Sequence, residues 1–136
     1  MRKLRKLNTR RQGAATVEFA LIAPLLFLLI FGIIEFGQVF YVQLVLTNAS
    51  REGCREACLD GSSLQTSQHA TRDYLSAFDL DNATIDIDPD PAEAGFRDTV
   101  TVTVSYPFAE ACWLGQPFFV KGELTATSTM RTDKPQ

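Results

Sequence analysis

The chain has 136 residues, and setting aside one long apolar segment leaves only about 75 for a folded domain, half the usual size, which argues against a deep catalytic cleft. Residues 1–11 carry six Lys or Arg and no acid, whereas from Ala14 onward seven Lys or Arg face 16 Asp or Glu, a net −9. An acidic domain repels a phosphate backbone, so nucleic acid is not an expected partner.

The apolar run extends from Phe19 to Leu46, interrupted mainly by Glu35, Gln38 and Gln43. At 1.5 Å per residue it makes roughly 40 Å of helix, enough to cross a bilayer once. Phe19 to Ile34 contains no charge, and its Leu, Ile and Phe each favour insertion by a few tenths of a kcal/mol. The basic residues lie on the N-terminal flank, while the C-terminal flank mixes Arg51, Glu52, Arg55 and Glu56. The positive-inside rule therefore predicts a cytoplasmic N-terminus and an exported C-terminal domain. A removable signal peptide would have a shorter apolar core of about 7–15 residues followed by a small-x-small cleavage site. A buried helix of a soluble protein would be far shorter, about 11–12 residues.

At the entrance to this run stands Arg10-Arg11-Gln12-Gly13-Ala14-Ala15-Thr16-Val17-Glu18-Phe19. Glu18 is a carboxylate at the membrane boundary, where an ionisable group is costly unless partnered and usually marks function. Cutting the chain after Gly13 would create an amine on Ala14 able to neutralise Glu18 of a neighbouring subunit. The plainer alternative is an interfacial carboxylate near a helix N-terminus, favoured by the macrodipole by about 0.3–1 kcal/mol. Glu35 falls inside the run and either meets a partner helix or sits at the outer interface of a shorter span. Pro24 is a site for a bend.

These residues resemble the prepilin peptidase site of Flp (type IVb) pilins and pseudopilins, which is cut after glycine and carries glutamate at the fifth mature position. Counted from Ala14, that position is Glu18. The resemblance continues through Gly32-Ile33-Ile34-Glu35-Phe36-Gly37 and Asn48-Ala49-Ser50-Arg51-Glu52-Gly53. Together these motifs are similar to the TadE-like family of pilus-assembly pseudopilins. Phe19 departs from the tyrosine of major Flp pilins and agrees better with the pseudopilins. The resemblance implies a leader over 1–13, a long helix over 14–61 with its transmembrane segment at about 19–46, and processing at Gly13, Ala14, Glu18 and Phe19. It further implies assembly through Glu18 and Glu35.

Beyond the membrane, helix signals run to Leu59, and Asp60-Gly61 is a natural stop. Ser67 is a candidate cap for a second helix whose apolar face is Ala70, Tyr74, Ala77 and Phe78. Strict alternation then predicts strands over Ala83–Asp88, Thr99–Tyr106 and Glu123–Arg131. The expected fold class is α+β: a long N-terminal transmembrane helix continuing into a small exported domain, residues 62–131, with a second helix and a short antiparallel sheet, a reduced pilin-like fold. Gly95 and the Pro89–Pro91 pair fall in connections, and 132–136 read as a flexible tail.

Cys54, Cys58 and Cys112 lie on the exported side, where oxidation is feasible. A bridge inside one helix is awkward, so a disulfide of Cys112 with Cys54 or Cys58 is the preferred arrangement. The thiols and His69 lack a fourth metal ligand at a recognisable spacing. Asp86, Asp88 and Asp90 do not continue into a calcium loop, since Pro91 and Arg97 hold the places of its glycine and glutamate. His69 reads as a surface residue, and the sequons at Asn48 and Asn82 as chance. No catalytic residue, metal or cofactor is expected.

The expected role is that of a minor pilin or pseudopilin in Tad/Flp-type pilus assembly, serving adhesion, secretion or biofilm formation. It would sit in the bacterial inner membrane or in the pilus. Its expected partners are the membrane, prepilin peptidase, other pilin-like subunits and inner-membrane assembly proteins, with homo- or hetero-oligomers forming through the N-terminal helix. The alternative is a signal-anchored exported binding module acting alone, with Gly13 uncut.

Overall fold

The computed structural model describes residues 8–112 and 122–132. The chain divides into two units, the first ending at Phe36 and the second beginning at Gly37. Helix α1, Asn8–Ala57, provides the described structure of the first unit and the opening helix of the second. Pro24 lies inside α1 without ending it. From Gly13 to Phe36 the side chains are exposed, apart from half-buried Ala23, Gly32 and Glu35. A helix that is apolar all round and left uncovered by the described residues requires lipid or other helices around it.

In the second unit α1 becomes one-sided. Val42, Val45, Leu46 and Ala49 are buried, followed by Gly53, Cys54 and Ala57. This is the i, i+3, i+4, i+7 stripe of a helix lying on a core. The stripe covers a three-stranded antiparallel sheet in the order β1 (Thr84–Asp88), β2 (Thr99–Pro107), β3 (Glu123–Arg131). Alternation places Ile87, Val100, Val102, Val104, Tyr106 and Ala126 on the buried face. Ile87 stands opposite Val102, and Val104 stands between Ile85 and Ala126. Each fully buried Val or Leu contributes about 1.5–3 kcal/mol relative to exposure. The other face is polar, and its β2–β3 pairs Thr101 with Thr129, Thr103 with Thr127 and Ser105 with Thr125 lie within hydroxyl hydrogen-bond distance at 3.1–3.3 Å. Such cross-strand pairs add a few tenths to about 1 kcal/mol each.

Polar contacts fix the direction of α1 along the sheet. Gln43 Nε2 donates to the Thr125 carbonyl at 3.0 Å. Ser50 Oγ meets Ser128 Oγ at 2.8 Å, and Cys54 Sγ donates to the Ser128 carbonyl at 3.0 Å. The last turns of the segment expected to span the membrane, residues 42–46, thus belong to the core of the second unit. The helix also stops at Ala57 rather than Leu59, because Ser62 Oγ caps the Ala57 carbonyl at 2.7 Å. Gly61 adopts the left-handed conformation expected of it, at φ 73°.

Helix α2, Leu64–Ser76, begins earlier than expected and turns a different face inward. Its cap is Ser63, not Ser67: Ser63 Oγ accepts from the Thr66 N–H, and Thr66 Oγ1 accepts from the Ser63 N–H at 2.9 Å. The buried residues are Ser67, Thr71 and Leu75, with Leu64 and Tyr74 partly buried, whereas Ala77 and Phe78 follow the helix and are exposed. The cause is a close approach to α1. A Cβ added at Gly53 would collide with the Thr71 hydroxyl and come within 3.2 Å of Val102, so only small side chains fit between the helices. Beyond α2, the Leu80 N–H bonds to the Leu75 carbonyl and the Asp79 N–H to the Ser76 carbonyl. With Asp79 at φ 58°, this is a Schellman closure in which aspartate takes the usual place of glycine. A four-residue helix, α3 (Phe108–Ala111), follows β2 and was not expected from the sequence.

Thr71 beside Gly53 and Phe78 beside Tyr41 show that α2 runs antiparallel to α1. Its C-terminal end meets the part of α1 that opens the second unit. There the Tyr41 and Phe78 rings meet edge to face at 6.4 Å between centroids, and Tyr74 lies 5.3 Å from Phe78.

Candidate functional site

The residues singled out at the head of the apolar run all lie on α1. Gly13, Ala14, Glu18 and Phe19 are exposed. A Cβ added at Gly13 would meet nothing within 4 Å among the described residues. Phe19 is 64% exposed, and the exposed apolar surface continues through Leu28 at 71% to Phe36 at 68%. Among the described residues, one helix is long and apolar enough to cross a membrane. Glu35 is half-buried and, like Thr16, engaged in an interaction within the chain. Glu18 and Glu35 bracket the uncharged segment. A Cβ added at Gly32 would meet nothing within 4 Å among the described residues, and small residues on an apolar helix let neighbouring helices pack closely when such helices associate.

The exported-side candidates separate instead of converging. Cys54 is buried at the Val100–Ser128 level of the sheet, and burial pushes its thiol pKa up. Cys58 lies one turn further along α1, while Cys112 follows α3 beyond the opposite end of β2. All three are thiols, and the expected bridge of Cys112 to Cys54 or Cys58 is not formed. The several residues of β2 that separate the two ends, at about 3.3 Å each, far exceed the Cα separation of roughly 7 Å that a disulfide tolerates. His69 is exposed on α2 as expected, and its Nδ1 lies 3.0 Å from the Asp73 carboxylate. Asp86 and Asp88 point to solvent from β1, and Asp90 accepts the Ala92 N–H at 2.9 Å, closing a turn.

Other features escaped sequence reasoning. Arg55 pairs with Glu52 one turn earlier on α1 and holds its carboxyl below the ordinary carboxylate range. Burial, together with Glu110, raises the pKa of Tyr106. The Tyr41–Tyr74–Phe78 cluster also went unread as a unit, although a tyrosine toward the end of a long apolar run is a legible signal of a membrane interface.

An apolar helix in one unit and an α+β domain in the other make this an α+β protein with, among the described residues, one candidate membrane anchor. The family model described as TadE-like protein matches residues 13–55, from the glycine at the head of the run to the end of the stripe that covers the sheet. The match bears out the resemblance read from the sequence, includes Gly13, Glu18 and Glu35, and associates this segment with Tad pilus assembly. No curated protein and no solved structure matches the chain.

Proposed function

We propose that the protein is a pseudopilin, or minor pilin, of a Tad/Flp-type pilus machine, acting by helix assembly and not by catalysis. The observation that carries this reading is the exposed Gly13-Ala14 peptide, five residues ahead of exposed Glu18, at the start of an uncovered apolar helix inside the TadE-like match. Prepilin peptidase cuts after Gly13. The freed Ala14 amine of one subunit then meets Glu18 of another, pairing two charges that would each be costly alone beside hydrocarbon. Glu35 engages a second helix deeper in the assembly. The N-terminus lies in the cytoplasm and the α+β domain outside the inner membrane, where the assembled machine serves adhesion or secretion.

The test is N-terminal mass spectrometry of the membrane-bound protein from cells with and without the cognate peptidase. A chain beginning at Ala14 only when the peptidase is present supports the pathway. An intact basic tail in both strains leaves a tethered module and defeats it. Glu18→Ala should leave cleavage intact and reduce co-purification with partner pilins about ten-fold, the scale of a lost charge pair worth roughly 1.4 kcal/mol. Undiminished co-purification would rule out the charge pairing.

A further inference from the structure

We infer that the aromatic cluster of Tyr41, Tyr74 and Phe78 is a second membrane contact, seated at the headgroup boundary of the bilayer that holds the anchor. The hydrocarbon core, about 30 Å or 20 residues of helix, is filled by Val17 to Phe36. Tyr41 follows Phe36 by five residues in the same helix and reaches the interfacial layer. At the start of the second unit Phe40, Tyr41 and Leu44 are exposed at 71%, 47% and 59% and present an apolar surface of their own. Phe78 extends that surface sideways, because the edge-to-face contact with Tyr41 brings the end of α2 to this level.

Lipid suits the patch better than a protein partner of opposite charge. Tyr and Phe are the residues that place a ring at the acyl boundary while a phenol stays wet. The flanking charges at the end of α2, Arg72, Asp73, Asp79 and Asp81, are exposed and acidic on balance, and they keep their hydration in the headgroup layer. The contact is therefore driven by apolar burial and does not depend on anionic lipid. Its consequence is that Tyr41 and Phe78 share one lipid contact, since their rings meet edge to face. The inference requires only the membrane anchor, so an unprocessed chain in the peptidase experiment would leave it standing.

The full chain, with its single tryptophan replaced by Trp113→Phe, is reconstituted in phosphatidylcholine vesicles and probed in separate variants by Tyr41→Trp, Phe78→Trp and Phe96→Trp. Phe96 is 47% exposed but belongs to the other end of the sheet, where the Arg97 N–H bonds to the Thr132 carbonyl. Lipids brominated near the headgroup end of the acyl chain should quench the Tyr41→Trp and Phe78→Trp emission to about half, as expected of rings at the acyl boundary, and leave Phe96→Trp unchanged. Quenching of Phe78→Trp no greater than that of Phe96→Trp overturns the inference even if Tyr41→Trp is quenched. So does quenching that disappears as the protein-to-lipid ratio rises, because a neighbouring chain would then cover the patch.

Discussion

Cys54 holds an ionisable group inside the core, and burial decides its behaviour. Its thiol donates to the Ser128 carbonyl, and loss of the proton would leave a thiolate with little water around it, so its pKa is raised above the ordinary 9.0. Below that value the thiol is protonated in both folded and unfolded chains, and its contribution to stability is complete. Above it the unfolded chain ionises first, so stability falls as pH rises toward the folded pKa. Tyr106 acts with the same sign from its ordinary value of 10.0 upward. Thermal unfolding in detergent should therefore show a midpoint that falls as pH rises above about 9, and Cys54→Ser should remove the part of the fall that begins there, leaving the part due to Tyr106 above about pH 10. An equal drop in the variant would refute the assignment. The sequence marked Cys54 only as one of three exported thiols. Nothing in the spacing of Cys54, Cys58 and Cys112 reveals that α1 and α3 carry them to opposite ends of the sheet, because that separation is created by the β2 register.

The elements differ in how openly the sequence declares them. The three strands were legible because Val and Ile alternate with Thr and Asp over a half-buried sheet, and the structure bounds each within one residue of the alternation. Helix α2 was legible as a helix but not in its phase. Its inward face joins Leu75 to Ser67 and Thr71, which read as polar surface until the Gly53 approach is known. Ser67 Oγ is buried with no hydrogen-bond partner, whereas Ser63 carries the capping box. Ser63→Ala should therefore lower stability by about 0.5–2 kcal/mol. Ser67→Ala should be neutral or stabilising by up to about 1 kcal/mol, since it removes a desolvated hydroxyl that gains no bond. Urea titration of both variants decides the matter, and the opposite order would restore Ser67 as the cap.

At the scale of the whole molecule, one helix carries two kinds of apolar surface that the sequence does not distinguish. Leu28 and Leu46 both stand in the run from Phe19 to Leu46, yet Leu28 is 71% exposed in the first unit and Leu46 is fully buried in the second. The signals for insertion and for packing overlap there because both are written in Leu, Val and Phe, and only the sheet shows where one task yields to the other. The two surfaces should respond separately to substitution. Leu28→Arg places a charge in the span at a cost of about 2.5–3.5 kcal/mol, so it should weaken retention in the membrane fraction under alkaline extraction while the second unit keeps its unfolding temperature. Leu46→Ala opens a cavity beneath the sheet at about 2–5 kcal/mol, so it should lower that temperature while membrane retention is unchanged. If both substitutions affected both readouts equally, the division of α1 at the start of the second unit would be wrong. A clean separation would mean that the anchor and the fold evolve under independent constraints within a single uninterrupted helix.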